Sequence, residues 1–291
     1  MSTPQEQGTV AQSNGQRGAR RPVAIGVAPN GGRRTKADHP ALPMTPEELA
    51  RTSVECAEAG AAMIHVHVRN SEGRHLLDVE SYRAVIDEVS KTCGMRLLVQ
   101  ITTESLGKYD PMQQVAIVQD VRPESASLAL RELAPTTSQE LLFADLLRFM
   151  RNENIIPQII VYTPAELQRL VAMQKRGVIP FASLPVLYAL GRYTPGMTSS
   201  AEDLLPFLEL PRDNPWMVCA FGAAEAQCGV AGALLGGDIR VGFENNLHTP
   251  HGTLASGNAD LVASVATPLR NLGFKTASAD DLREHWSRQR T

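Results

Sequence analysis

Pro22-Val-Ala-Ile-Gly-Val-Ala28 runs straight into Pro29-Asn-Gly-Gly-Arg-Arg34. The first seven residues are mostly apolar and read as a buried strand. The next six form a turn or loop cluster. A dinucleotide-binding open sheet would leave its first strand through Gly-x-Gly-x-x-Gly and enter a helix at once. Here a loop continues through Asp38-His39-Pro40 to Pro43 before Thr45-Pro46-Glu47-Glu48 opens a helix. Thr45 is the expected N-cap, Pro46 sits at the first helical position, and Glu48 completes a capping box. The helix should end at Ala59-Gly60.

Working outward, the same alternation recurs to the end of the chain. Further strands are expected at 62–68, 96–102, 125–130, 155–161, 184–190, 216–221 and 238–243. Helices are expected at 78–90, 111–121, 138–152, from Thr163, and at 200–208, 223–235 and 256–271, with a tail helix after Ala279. Successive strands lie roughly 25 to 35 residues apart, the size of one βα unit. They are apolar on both faces, as in a covered parallel sheet. The pattern predicts an α/β fold, a (β/α)₈ TIM barrel in one domain over 22–291.

The 291 residues are 43% hydrophobic and 20% charged, with a net charge of -3. That balance excludes a strong nucleic-acid or membrane-surface field. No apolar run reaches a membrane span. Residues 1–21 are polar and lack the apolar middle of a secretory signal, so they read as a disordered leader. Cys56, Cys93, Cys219 and Cys228 are scattered and form no Cys-x-x-Cys pair. They read as buried thiols of a reduced, cytoplasmic protein.

The chemistry gathers where the strands end, since barrel active sites lie at that face. In Met63-Ile-His65-Val-His67-Val-Arg69 the two imidazoles stand two residues apart, so both project from one face of a strand. They make half of a site for zinc or another borderline metal. In Arg240-Val-Gly-Phe-Glu244-Asn245-Asn246 a carboxylate follows the eighth strand and can complete a His₂Glu set with an open position. Glu244 could instead simply pair with Arg240, or Arg240 could support it as a ligand. Arg192 ends the sixth strand. His39 reads as a loop or capping residue, His248 and His251 as surface-loop residues, and His75 and His285 as exposed.

Several strings together resemble the β-keto acid cleavage enzyme family, whose founding activity is 3-keto-5-aminohexanoate cleavage. They are Ala28 to Pro43, Glu58-Ala-Gly-Ala, His65-Val-His67-Val-Arg69, Gln100-Ile-Thr102-Thr103, Val218 to Gly222 and Gly236 to Asn246. The resemblance covers about residues 22 to 280. It implies a (β/α)₈ homotetramer with a divalent metal, usually Zn2+, on His65, His67 and Glu244. It implies substrate contacts at Arg33, Thr102, Ser105 and Ser127, with Arg240 and Asn245 beside the reaction centre. The implied reaction takes a β-keto acid and acetyl-CoA to acetoacetate and a new acyl-CoA.

One position departs from the family. Members with an Asp after the glutamate use it with the arginine; here it is Asn245, which cannot take up a proton. Either Glu104 or Glu132 serves as the base, or Asn245 only orients Arg240 or a water. Arg33 stands where an amine-cleaving member would carry an acid. With Arg192 it favours a neutral or anionic β-keto acid over an amino-substituted one. The alternatives are a metal-dependent retro-aldol lyase acting without CoA, and a non-catalytic metal- or metabolite-binding homologue. A hydrolase fits less well, since strands five to seven end without histidine.

Overall fold

Burial of alternate residues on eight short strands builds the molecule around two concentric layers. The structure, a computed structural model, describes residues 20–287. The strands are β1 (Ile25–Val27), β2 (Met63–Val66), β3 (Leu98–Thr102), β4 (Ser125–Ala129), β5 (Ile156–Val161), β6 (Val186–Leu190), β7 (Trp216–Ala220) and β8 (Asp238–Val241). They pair in parallel in sequence order, and β1 closes on β8. Outward residues such as Ile64, Val66, Ile101, Val161 and Val186 pack in one core under the helices. Inward residues such as Met63, Leu98, Ile156, Leu187 and Met217 fill the barrel itself.

The helices are α1 (Pro46–Ala59), α2 (Val79–Cys93), α3 (Pro111–Val121), α4 (Glu140–Asn152), α5 (Pro164–Lys175), α6 (Leu205–Leu208), α7 (Glu225–Leu234), α8 (Asn258–Asn271) and α9 (Ala279–Ser287). The expected capping box at Thr45 is present, and Gly60 closes α1 in a left-handed conformation at φ 115°. Such a cap contributes about 1 kcal/mol. The helix expected over 200–208 is a 3₁₀ turn (Ala201–Leu204) followed by the single turn α6. A short helix at Leu130–Leu133 was not expected.

The tail helix α9 plugs the barrel's N-terminal end. Its Leu282 and Trp286 join the inner apolar cluster, and Arg283 donates to the Leu97 carbonyl and the Glu124 carboxylate. The opposite end, where the strands finish, is left for the site. Most of the expected leader, residues 1–19, lies outside the described residues. Arg21 is described and pairs with buried Asp238 at 2.9 Å. Among the described residues no helix is long and apolar enough to cross a membrane. All four cysteines are buried.

The strand expected over 62–68 is interrupted. β2 stops at Val66, and Val68–Arg69 turn aside into a two-stranded hairpin with His75–Leu76. β1 has already ended at Val27, so His67 has no strand neighbour on that side. The Asn30 side chain takes that neighbour's place. Its Oδ1 accepts from His67 N at 3.2 Å and its Nδ2 donates to His67 O at 2.8 Å.

Candidate metal centre and cavity

His65 points into the barrel from β2, and His67 follows from just beyond it. Their Nε2 atoms lie 3.2 Å apart. Glu244, from the loop after β8, brings Oε2 to 3.7 Å from each. Among the described residues these three form a group able to hold a metal ion, with ligand atoms all within 4.8 Å of one another. His65 faces the Gln100 Oε1 through Nδ1 at 2.8 Å. Gln100 uses its amide nitrogen on Ser125 and Gln158, so it meets His65 as an acceptor. His65 therefore carries its proton on Nδ1 and leaves Nε2 as a lone pair. Glu244 Oε2 is buried with no hydrogen-bond partner.

The electrostatics suit such a group. Burial, reinforced by the Arg240 charge, lowers the His65 pKa to about 4. Burial, then the charges of His65 and His75, hold His67 well below its ordinary value. Both imidazoles are thus neutral. Burial alone would raise the Glu244 pKa, but Arg240, His65, Arg192 and Arg34 together bring it below the ordinary value. Burial and the Glu244 charge push Glu104 up, against the pull of Arg192.

A cavity opens beside these groups, and its walls include His65, Thr102, Glu104, Ser127, Tyr162, Arg192, Phe221, Arg240 and Glu244. Ser127 Oγ and the Nε and Nη1 atoms of Arg240 are buried there without partners. Gly26 leaves room for Arg240: a Cβ at that position would sit 3.5 Å from its Cγ and 2.8 Å from Met63 Cε. Glu104 Oε1 pairs with Arg192 Nη2 at 3.0 Å, while Oε2 lies 3.9 Å from His67 Nδ1. A second cavity adjoins the first at Glu244 and Arg192 and is lined by Arg33, Arg34 and Met197.

The structure thus brings together His65, His67, Glu244, Arg240, Thr102, Ser127 and Arg192. Arg33 is exposed on the wall of the second cavity. Ser105 stands apart from the main cavity lining: its Oγ accepts from Gly107 N and its N–H donates to Glu132 Oε2, both at 2.9 Å. Asn245 is also behind the wall, donating to Glu225 Oε1 at 3.1 Å. Glu132 is occupied by Ser105 N and Gln114 Nε2.

His75, expected to be exposed, is buried: the hairpin folds it beside His67, with ring centroids 5.3 Å apart, and its Nε2 meets the Glu104 carbonyl. His39, expected in a loop, is in one, but buried, with Nε2 2.8 Å from Ala255 O. Reading the sequence missed Glu225. Its polar surroundings come from a loop folded against it, so its position in an apolar helix gave no local signal. It also missed Asn30, whose place before the glycine pair looked like ordinary turn chemistry. Arg69 donates to the carbonyls of Asn30, Gly31 and Arg34 and fixes the β1 loop.

Comparison with known proteins reaches the same architecture. The sequence model of the beta-keto acid cleavage enzyme family matches residues 22–287. The chain is 28% identical to the 3-keto-5-aminohexanoate cleavage enzyme of Fusobacterium nucleatum, over 86% of this chain and 92% of that one. It is 27% identical to the 3-oxoadipate:acetyl-CoA acetyltransferase of Cupriavidus necator, over 90% and 93%. Among solved structures, apo ObcA superposes with a TM-score of 0.67 at 18% identity, covering 85% of this chain and 66% of ObcA. That last likeness concerns the fold. The chain belongs to the beta-keto acid cleavage enzyme family.

Proposed function

We propose that this family member converts a β-keto acid and acetyl-CoA into acetoacetate and a new acyl-CoA, using a divalent metal, zinc, held by His65, His67 and Glu244. The observation that carries the reading is the convergence of the His65 and His67 Nε2 atoms on an unpaired Glu244 oxygen, beside a cavity that also holds two arginines and a second carboxylate. When bound, the metal supplies Lewis-acid polarisation of the keto group and charge compensation for the substrate carboxylate.

The chain's own residues account for the rest. Ser127 Oγ and the free nitrogens of Arg240 offer donors to developing negative charge. Thr102 is on the same wall, but its Oγ1 accepts from Glu104 N and so helps hold Glu104 in place. Glu104 is the carboxylate on the cavity wall, whereas Glu132 is occupied elsewhere, so Glu104 takes the proton from the carbon between keto group and carboxylate. That carbon attacks the acetyl carbonyl and CoA leaves as thiolate. The thiolate then attacks the original keto carbon, the bond to the acetoacetate fragment breaks, and Glu104 returns the proton to that fragment. Ser105 and Asn245 act from behind the wall.

Arg33, Arg34 and Arg192 surround the second cavity, which suits a neutral or anionic substrate tail or an anionic co-substrate. We further take the protein to be a cytoplasmic homotetramer: four buried free thiols suit a reducing compartment, and the tetramer is what the family resemblance implies. The test is a screen of β-keto acids on zinc-loaded protein with acetoacetate as readout. Acetyl-CoA-dependent turnover is expected, with kcat/KM higher for 3-oxoadipate than for 3-keto-5-aminohexanoate. Equal acetoacetate release without acetyl-CoA would refute the transfer reaction, and faster turnover of the amino compound would refute the tail preference.

A further inference from the structure

The loop that delivers Glu244 is pinned from behind by a carboxylate no wall of the cavity contains. Glu225, at the start of α7, is 2% exposed. Its Oε1 accepts from Gly242 N at 2.9 Å and from Asn245 Nδ2 at 3.1 Å, and its Oε2 accepts from Asn246 Nδ2 at 3.4 Å. The polarity of this cluster follows from the backbone. Gly242 N–H can only donate. Asn246 is oriented by His248, whose N–H donates to Oδ1 while the carbonyl accepts from Nδ2. Burial pushes Glu225 up to about 8 and its three N–H donors pull the other way; Oε1, which takes the Gly242 N–H, is an acceptor in either protonation state. Arg34 supplies a nearby positive charge, donating to the carbonyls of Phe243 and Asn245 in the same loop.

The consequence falls on Asn245. Because Oε1 of Glu225 is an acceptor, Asn245 must turn its nitrogen to it, and its Oδ1 is left buried and unpartnered. An amide that could have flipped freely becomes a fixed acceptor directly after the ligand Glu244. We infer that Glu225 is a positioning residue of the reaction site, supplying through Asn245 the carboxylate that the loop itself lacks at position 245. The inference rests on the transfer reaction proposed above. It has a chemical corollary: once the Asn245 amide is removed, the charge at position 225 should matter little to turnover, because the Gly242 N–H that shares Oε1 is met by a carboxylate or an amide oxygen alike.

The test is a double-mutant cycle on full-length, zinc-loaded protein, read in kcat, KM and melting temperature. Losing a hydrogen bond to a charged group corresponds to roughly tenfold or more. E225Q is therefore expected to lower kcat about tenfold with KM changed little. N245A removes the amide through which Glu225 acts and loses at least as much. In N245A/E225Q the second change is expected to cost less than about threefold more in kcat, since its route to the site is already gone. Wild-type kcat in E225Q, or losses that multiply in the double variant, overturn the inference. Should E225Q fail to fold, E225D is measured in both backgrounds, and a loss as large without Asn245 as with it overturns the inference. The melting cycle separates the two levels: melting temperatures that couple in the same way, with no turnover in any form, wild type included, leave the contact standing and remove the reaction.

Discussion

Glu104 and Glu225 are both buried carboxylates near Glu244, yet their surroundings give them different work. Glu104 faces the cavity, one oxygen on Arg192 and the other 3.9 Å from His67 Nδ1, too far for a hydrogen bond. Glu225 has both oxygens engaged by donors and is pushed up to about 8 by burial against those donors. A proton-moving group needs an accessible oxygen, so Glu104 is the better placed of the two. E104Q is expected to lower kcat by about 10²–10⁴ while the protein keeps its metal content. Wild-type turnover in E104Q would remove it from the proton path. At this scale the sequence pointed to three residues that the structure brings together, since His65, His67 and Glu244 stand at strand ends with recognisable spacing. It could not show Glu225 or His75, because the polar groups that make those residues tolerable when buried arrive from distant loops.

Between residues and elements, the short connections set the geometry. The strand order and all eight strands were legible, since each is an apolar run bounded by turn chemistry. The ends were less so: β2 was read through Val68, yet its pairing with β1 ends at Ile64 and with β3 at Val66, and Val68–Arg69 pair instead with His75–Leu76. Alternation still places both histidines inward, because Asn30 keeps the His67 backbone extended by standing in for a strand. The turn after β8 is tighter. Gly242 adopts φ 138°, and a Cβ there would run into the carbonyl of Ala28. Gly242→Ala is therefore expected to cost about 1–3 kcal/mol from the dihedral alone, and to lower metal content by displacing Glu244. Thr45→Ala, which removes the α1 cap far from the loop, is expected to cost about 1 kcal/mol with metal retained. Urea unfolding and metal analysis of the two variants side by side would check the contrast; equal metal content in both would mean that the β8 turn does not set the site.

For the whole molecule, the question is whether the fold depends on the ion. The barrel closes through β1–β8 pairing, its inner and outer clusters are apolar, and α9 seals the far end, so the core stands without the site. The site itself is the unfavourable part: two imidazole nitrogens and a carboxylate oxygen are held within 4.8 Å by surrounding structure. A bound cation relieves that crowding in the folded state only, and its affinity adds to stability by linkage. At a hundredfold excess over Kd this amounts to about 2.7 kcal/mol, or roughly 5–10 °C in melting temperature for a domain of this size. Chelation is accordingly expected to leave the far-UV spectrum folded, lower the melting temperature by that order and abolish acetoacetate formation, with both restored by zinc. In E244Q the amide nitrogen or a neutral oxygen replaces the anionic ligand, so the zinc-dependent shift should shrink to near zero while the metal-free melting temperature falls, because buried Arg240 loses its carboxylate partner. A metal-independent melting temperature together with full activity after chelation would show that the convergence of His65, His67 and Glu244 serves something other than a metal.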